Sequence, residues 1–182
     1  AWGGLKHITY GNNMTYDVDY NVRMKPISLV VSGAVSPFSP STIMNSTFEY
    51  YDDGRIKGAT DLVDHNFDRA YSYDQIGHLE NSFTNQQARD SLAGQTPSTT
   101  DQGPYRETFS YDFHGNITQR VARFWSQPQE TVDYSFNGTT NRLIDSTTQY
   151  DAEGHAVFMD NEYYKYDTAG QLADRFHLLH LA

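Results

Sequence analysis

The chain has 182 residues, 14 of them Tyr and 10 Phe, and its 13 Lys and Arg face 23 Asp and Glu for a formal net charge of -10. That balance excludes a phosphate-backbone binder, which needs clustered cations, and the absence of Cys excludes disulfides, zinc-thiolate sites and thiol nucleophiles. The length allows one domain with a sizeable core, no apolar run is long enough to span a bilayer, and aromatic richness without an Ala/Leu/Glu/Lys helical tract predicts an all-β fold.

In chain order, the opening AWGGLKHITYGNN has neither the basic leader nor the apolar centre of a signal peptide. It also lacks an initiator Met, so we expect residues 1-182 to form a single β region cut from a longer chain. The stretch TYGNNMTYDVDYNVRM reads as a weak hairpin unit in which Tyr16-Asp17 is followed by Tyr20 in place of a glycine. The apolar run ISLVVSGAV from Ile27 predicts a strand covered on both faces. A Pro-rich loop, Ser36 to Ser41, is expected next.

From there one phrase recurs: Tyr four places before a glycine and an apolar residue two places after it. The copies are Tyr50–Gly54–Ile56, Tyr73–Gly77–Leu79, Tyr111–Gly115–Ile117, Tyr150–Gly154–Ala156 and Tyr166–Gly170–Leu172. In four of them an Asp follows the Tyr: Asp74, Asp112, Asp151 and Asp167. Asp-x-x-Gly is a type I turn signature, with the Asp side chain able to cap the turn's own backbone. The glycine suits the left-handed residue that ends a three-residue hairpin loop with a bulge. Such a loop places the Tyr opposite the apolar residue, and the aromatic two places before most of the tyrosines keeps to the same face. These spacings predict consecutive antiparallel hairpins with the tyrosines in the core. The copies are unevenly spaced, so the strip is not a regular solenoid.

Residues 85-104 interrupt the pattern: NQQARDSLAG predicts a short helix ended by Gly94, and a polar loop follows. We expect this insert to project from the sheet. Beyond it, ETFSYDFHGNITQRVARFW reads as a long hairpin, and Asn137-Gly138 between alternating runs reads as a tight turn. The tail LADRFHLLHLA fits a strand or a helix equally.

With YSYDQIGHL, FSYDFHGNITQR, YDAEGH and YKYDTAGQL, the chain resembles the RHS/YD-repeat family of bacterial Rhs toxins, insecticidal toxin-complex C subunits and animal teneurins. The resemblance runs from Phe48 to Phe176. It implies a strip of β-hairpins that spirals into a hollow shell, here an open arc of it, enclosing an effector in the toxins and serving adhesion in teneurins. The family's variable toxin domain has no counterpart here. Nor does its self-cleaving terminus, which carries an Asp-Pro motif, so autoproteolysis does not transfer.

No residue pattern supports an enzyme, a cofactor or a metal site. His78, His114 and His155 lie in or beside turns, and His177 and His180 have a metal-compatible spacing only on a helix. Adjacent acids such as Asp52-Asp53, and the Asp160-Asn161-Glu162 stretch, read as solvated turns. Aromatic residues outside the repeat, Trp2, Tyr105, Phe124 and Trp125, are the candidate contacts for a glycan or protein ligand. Phe124 and Trp125 are expected on one strand, facing opposite sides. Asn-x-Ser/Thr triplets occur at Asn13, Asn45, Asn116 and Asn137. The expected role is a structural scaffold, secreted or on a cell surface, whose partners are the rest of a longer repeat chain or further copies through the sheet edges. A recognition module on the same scaffold is the alternative.

Overall fold

The structure, a computed structural model, describes residues 3–36, 39–100 and 103–177. It is all-β and antiparallel. Ten strands pair in sequence order: β1 His7–Thr9, β2 Thr15–Tyr20, β3 Pro26–Ser36, β4 Ser39–Tyr50, β5 Ile56–Asp61, β6 Arg69–Tyr73, β7 Leu79–Thr84, β8 Arg106–Tyr111, β9 Ile117–Arg123 and β10 Glu130–Asp133. The sheet does not close: among the described residues, β1 and β10 each have a neighbour on one side only. A second sheet of four follows, β11 Gln149–Tyr150, β12 Ala156–Met159, β13 Glu162–Tyr166 and β14 Leu172–His177, again in sequence order. The residues group into two compact units, Ala1–Phe109 with Arg120–Thr131, and Ser110–Gln119 with Val132–Ala182. No helix among the described residues is long and apolar enough to cross a membrane.

One register is used repeatedly. Tyr50 pairs with Ile56, Tyr73 with Leu79, Tyr150 with Ala156 and Tyr166 with Leu172, and in each hairpin the register shifts just before the tyrosine. That is the bulge a left-handed turn residue produces at a hairpin end. Two further turns share this frame, with Thr9 opposite Thr15 and Tyr20 opposite Pro26. Met159 faces Glu162 across a two-residue turn, Asp160 and Asn161, both at positive φ. This is the type I′ geometry that Asp and Asn tolerate.

The buried core is small and sits in the first unit, where a helix covers the sheet. Helix α1, Asn85–Leu92, buries Ala88 against Ala70 and Phe83, with Leu92 beside them. An ideal Cβ on Gly58 would lie 2.6 Å from Leu92 Cδ2, so only glycine admits the helix so close. Beneath it Asp68 is fully buried and accepts from Arg89 Nη1 at 2.7 Å, the Asp61 amide at 2.8 Å and His65 Nδ1 at 3.1 Å. A buried carboxylate persists when every lone pair is satisfied in this way. The insert therefore does not project: its Gln87-Ala88 face is the lid of the core, and the expectation of a decoration is corrected.

Other expectations change as well. β3 is a strand, but Ile27 is exposed and Leu29 to Ser32 are half-buried, so it is not covered on both faces. The Pro-rich segment belongs largely to a hairpin, since β3 runs to Ser36 and β4 begins at Ser39. Asn137 and Gly138 do not form a two-residue turn. Phe136 pairs with Leu143 across a longer loop, in which Asn137 Oδ1 accepts from the Thr139 and Thr140 amides at 2.9 Å each. The tail is strand β14 as far as His177; His180 lies outside the described residues.

Candidate functional site

The recurring turn is a constellation repeated along the described residues. In the hairpin of Tyr73, the Asp74 N–H donates to His78 O at 2.9 Å and the Gly77 N–H to Asp74 O at 3.1 Å. Asp74 Oδ1 accepts from the amides of Ile76, Gly77 and His78 at 3.0, 2.7 and 2.8 Å. Its Oδ2 takes His78 Nδ1 at 2.9 Å. Asp151 repeats this with Gly154 and His155, Asp112 with His114 and Asn116, and Asp167 with Ala169 and Gln171. The closing glycine is left-handed throughout, at φ +89 in Gly54, +100 in Gly77, +86 in Gly115, +101 in Gly154 and +74 in Gly170.

Two copies of this turn are hidden in the sequence. At Tyr20 the turn acid is Asn21, whose Oδ1 accepts from the amides of Arg23 and Lys25, and the left-handed residue is Met24 at φ 59. The weak unit is therefore centred on Tyr20–Met24, and Tyr16-Asp17 lies within β2 instead. At Tyr10 the left-handed residue is Asn13, at φ 61. Asn serves in place of Asp because one side-chain oxygen is enough to cap the turn. In the hairpin of Tyr50, Tyr51 takes the Asp place in the backbone pattern, and Asp53 does the capping through the Arg55 amide at 2.8 Å.

The residue after the left-handed turn residue, Met24, Gly54, Asn141 or Gly154, joins one hairpin to the next. Lys25 Nζ lies 5.2 Å from the ring centroid of Tyr50, Arg55 Cζ 4.6 Å from that of Tyr73, and Arg142 Cζ 5.4 Å from that of Tyr150. His155 stacks on Tyr166 with ring centroids 4.6 Å apart. The same side chains lie against the next turn's glycine. An ideal Cβ would be 2.7 Å from Lys25 Nζ at Gly54, 3.1 Å from Arg55 Nη1 at Gly77, 3.0 Å from Arg142 Cζ at Gly154 and 3.1 Å from His155 Nε2 at Gly170. Two of these tyrosines also reach back by the hydroxyl: Tyr50 donates to Pro26 O at 2.8 Å and Tyr166 to Ala156 O at 3.1 Å. Cation–π contacts at such sites contribute about 0.5–1 kcal/mol each.

The first rung is built in reverse. Gly3 is left-handed at φ +74, Gly4 follows it, and the Tyr20 hydroxyl donates to Leu5 O at 3.0 Å. Gly4 holds the place of the cation, while Met24 holds the place of the next glycine. An ideal Cβ on Gly4 would lie 2.9 Å from Met24 Cε and 3.3 Å from the Tyr20 ring. Met24 thus fills from one side the space that Lys25 or Arg55 fills from the other. Asn116 and Asn141 make a third kind of rung, two short side chains joined at 2.5 Å.

These contacts correct the expectation that the repeat tyrosines are core residues. Tyr50, Tyr73, Tyr111, Tyr150 and Tyr166 are all half-buried, and their partners Ile117 and Leu172 are exposed. The Tyr166 ring stacks on His155, and the rings of Tyr50, Tyr73 and Tyr150 lie beside Lys25, Arg55 and Arg142. Burial raises the Tyr50 and Tyr73 phenols, the latter against the opposing pull of Arg55. For Asp74 and Asp151, desolvation alone would raise the carboxyl; the amide and imidazole of His78 or His155 overcome it and hold the acid below the ordinary Asp range. Asp112 is held low first by the Asn116 side chain.

The candidate ligand contacts are not brought together as one site. Tyr105 is half-buried and hydrogen-bonds Tyr71, whose phenol is pushed up to about 12 by burial and then by Tyr105. Strand β9 ends at Arg123, so Phe124 and Trp125 are in a turn rather than on a strand, with Trp125 at φ 49. Both are exposed, at 42% and 49%, and Arg120 lies 5.9 Å from the Phe124 ring centroid. Trp2 lies outside the described residues. Of the sequon residues, Asn13 and Asn137 are exposed, Asn45 is half-buried in β4, and Asn116 has its side-chain nitrogen engaged by Asp112 and Asn141.

The fold is that of a known class of toxin-complex chains. No family model matches the sequence, and no curated protein matches it. Among solved structures, the chain is similar to the Photorhabdus luminescens Tc holotoxin pore carrying a TccC3 variant, with a TM-score of 0.68 and 18% identity over 92% of this chain and 9% of that one. The crystal structure of TcdB2-TccC3 matches with a TM-score of 0.67 at 18% identity, covering 92% and 9%. That of TcdB2-TccC3-TEV matches with 0.70 at 17%, covering 97% and 10%. The chain thus shares the fold of these Tc toxin chains and spans about a tenth of their length.

Proposed function

We propose that the chain is a wall segment of an RHS/YD-repeat shell in a toxin complex. The observation that carries this reading is the turn ladder. Hairpins are tied to their neighbours by tyrosine hydroxyls at Tyr20, Tyr50 and Tyr166 and by side chains laid on the rings of Tyr50, Tyr73, Tyr150 and Tyr166, and such ties let a strip extend sideways without a conventional two-layer core. The similarity in fold to Tc toxin chains supports it. In this reading the repeat Tyr, Asp and Gly residues build and turn the wall, no chemical step is assigned to them, and the parent protein is secreted or displayed on a cell surface.

The test is the native particle. Antibodies raised against the chain would recover it from producing cells for mass measurement and electron microscopy. A hollow particle many times heavier than the chain's 20.7 kDa is expected. A solid particle or a free monomer overturns the proposal.

The exposed pair Phe124 and Trp125 favours a second reading, a glycan- or protein-recognition module on the same scaffold. Saturable glycan-array binding lost in Trp125→Ala would support it, and an array without hits would remove it.

A further inference from the structure

We propose that the β9–β10 turn docks on the surface of an anionic lipid bilayer, with Phe124 and Trp125 entering the headgroup layer and Arg123 supplying charge that attracts the lipid phosphates. The proposal stands apart from the wall reading, and it competes with glycan binding for the same two rings. The turn carries a backbone outlier. The Gln127 N–H donates to Phe124 O at 2.9 Å, and Trp125 holds the first central place between them at φ 49, while Ser126 is not left-handed. A type II′ turn gives that place to glycine, and a bulky residue there is strained. The Trp125 N–H donates to Gly103 O at 3.1 Å, which holds the strained residue in place. Strain of this kind points to a function for the side chain that is held out.

Two exposed rings on a turn suit an interface between water and hydrocarbon. Every residue from Phe124 to Glu130 is exposed, so the rings sit on a projecting turn rather than in a cleft. Small-ligand sites are concave, and a stable protein partner covers about 800 Å² on each side, far more than two half-exposed rings supply. A bilayer surface asks for neither, because Trp and Phe rings settle at its headgroup level. The charge pattern selects an anionic surface. Between Asp112 and Glu130 the sequence has no Asp or Glu but holds Arg120 and Arg123, in a chain whose net charge is -10. Arg120 is answered by Glu107, whose Oε1 accepts from Nε at 2.9 Å. Arg123 has no carboxylate partner among the described residues; its Nη1 donates to Thr99 O at 3.2 Å, and its Nε has no hydrogen-bond partner. Repulsion from acids elsewhere on the chain fades over a Debye length, about 8 Å at physiological salt, which favours contact through a projecting turn.

The full chain carrying Trp2→Phe keeps Trp125 as its single tryptophan, so its emission reports the contact. Vesicles of phosphatidylcholine and phosphatidylglycerol in equal parts should shift that emission to the blue, and added salt should reverse the shift. Vesicles of phosphatidylcholine alone should leave it unchanged. Arg123→Gln should weaken cosedimentation with the mixed vesicles about fivefold, the effect of one cation near an anionic surface. Phe124→Ala should weaken it at least as much. Trp125→Gly should abolish it while keeping the parent melting temperature, since glycine suits that turn. No shift with the mixed vesicles, an equal shift with phosphatidylcholine alone, or parent-like cosedimentation of Trp125→Gly overturns the proposal. A Trp125 response to soluble glycans without one to vesicles also overturns it and assigns the rings to the recognition module, leaving the wall reading untouched.

Discussion

The Tyr166 hydroxyl donates to the Ala156 carbonyl one hairpin back at 3.1 Å, while the same ring stacks on His155 at 4.6 Å. Tyr50 stands in the same relation to Pro26 and Lys25. These tyrosines are clamps, and their energetic weight is lower than that of a buried aromatic, whose loss costs about 3–5 kcal/mol. Tyr50→Phe should lower stability by about 1 kcal/mol, the typical value of one hydrogen bond. Tyr50→Ala should cost about 2 kcal/mol, less than a fully buried aromatic because the ring is only partly buried. Urea unfolding reads both, and a Tyr50→Phe variant as stable as the parent chain would show that the hydroxyl contact contributes nothing.

Two glycines separate backbone strain from crowding. Gly94 and Gly154 are both left-handed, at φ +71 and +101, but nothing lies within 4 Å of an ideal Cβ on Gly94, whereas Arg142 occupies that space at Gly154. Gly94→Ala should cost about 1 kcal/mol from conformation alone. Gly154→Ala should cost at least twice that, and Arg142→Ala in the same chain should recover the excess. Equal losses at the two sites would mean that the guanidinium moves aside freely.

The reversed rung makes a non-additive prediction. Met24→Gly relieves a positive φ, worth up to about 1 kcal/mol, but empties the space beside Gly4, so the two effects offset. Gly4→Lys alone crowds Met24 and the Tyr20 ring. Together the two changes rebuild the Lys25/Gly54 arrangement. The double variant should melt higher than either single one, and its coupling energy in a double-mutant cycle should exceed about 0.5 kcal/mol.

Much of the hairpin frame was legible in the sequence, because Asp-x-x-Gly spells its own turn and the Tyr-to-apolar spacing spells its register. The turns at Asn21 and Asn13 were not, since Asn and Met replace the two marker residues and only backbone geometry reveals them. The rung was invisible for a different reason: it joins positions separated by a whole hairpin, and local periodicity carries no signal for such a contact. Alternation points the repeat tyrosines toward a core, but it reports only which face a ring is on and says nothing of what covers that face. Likewise, a Gln-Gln-Ala-Arg helix looks soluble in isolation, and its burial depends on Gly58 and Asp68, far from it in sequence.

Acid should loosen the turns. Asp74, Asp112 and Asp151 are all held below the ordinary carboxylate range in the folded chain. A depressed folded pKa contributes stability that is fully present above the unfolded value, about 3.9, and is lost as pH falls through the folded value. Melting temperature should therefore be insensitive to these groups at neutral pH and fall below about pH 4. Asn21 already makes the same turn with an amide oxygen. The triple variant Asp74→Asn, Asp112→Asn, Asp151→Asn should keep the fold while flattening the acid limb of the melting profile. An unchanged acid limb would place the pH sensitivity elsewhere.

At Asp68 a single change should release a whole element. Its carboxylate is completely buried, while its partner Arg89 keeps 37% side-chain exposure, so the ion pair is sheltered on one side only. Removing one member of a buried pair costs about 3–5 kcal/mol, and the exposed guanidinium places Asp68→Ala at the lower end. The loss should be local first. Asp68 Oδ1 also holds the Asp61 amide, and its main-chain oxygen accepts from the Asn85 amide at the start of α1. Hydrogen exchange should accelerate across Asn85–Leu92 and at Asp61 before the hairpins of Tyr20 and Tyr50 respond. Asp68→Asn keeps the shape but loses the charge, and should fall between the parent chain and Asp68→Ala. If exchange in Asn85–Leu92 were unaltered in Asp68→Ala, Ala88 and Leu92 alone would be holding the helix, and the buried carboxylate would contribute nothing to its docking.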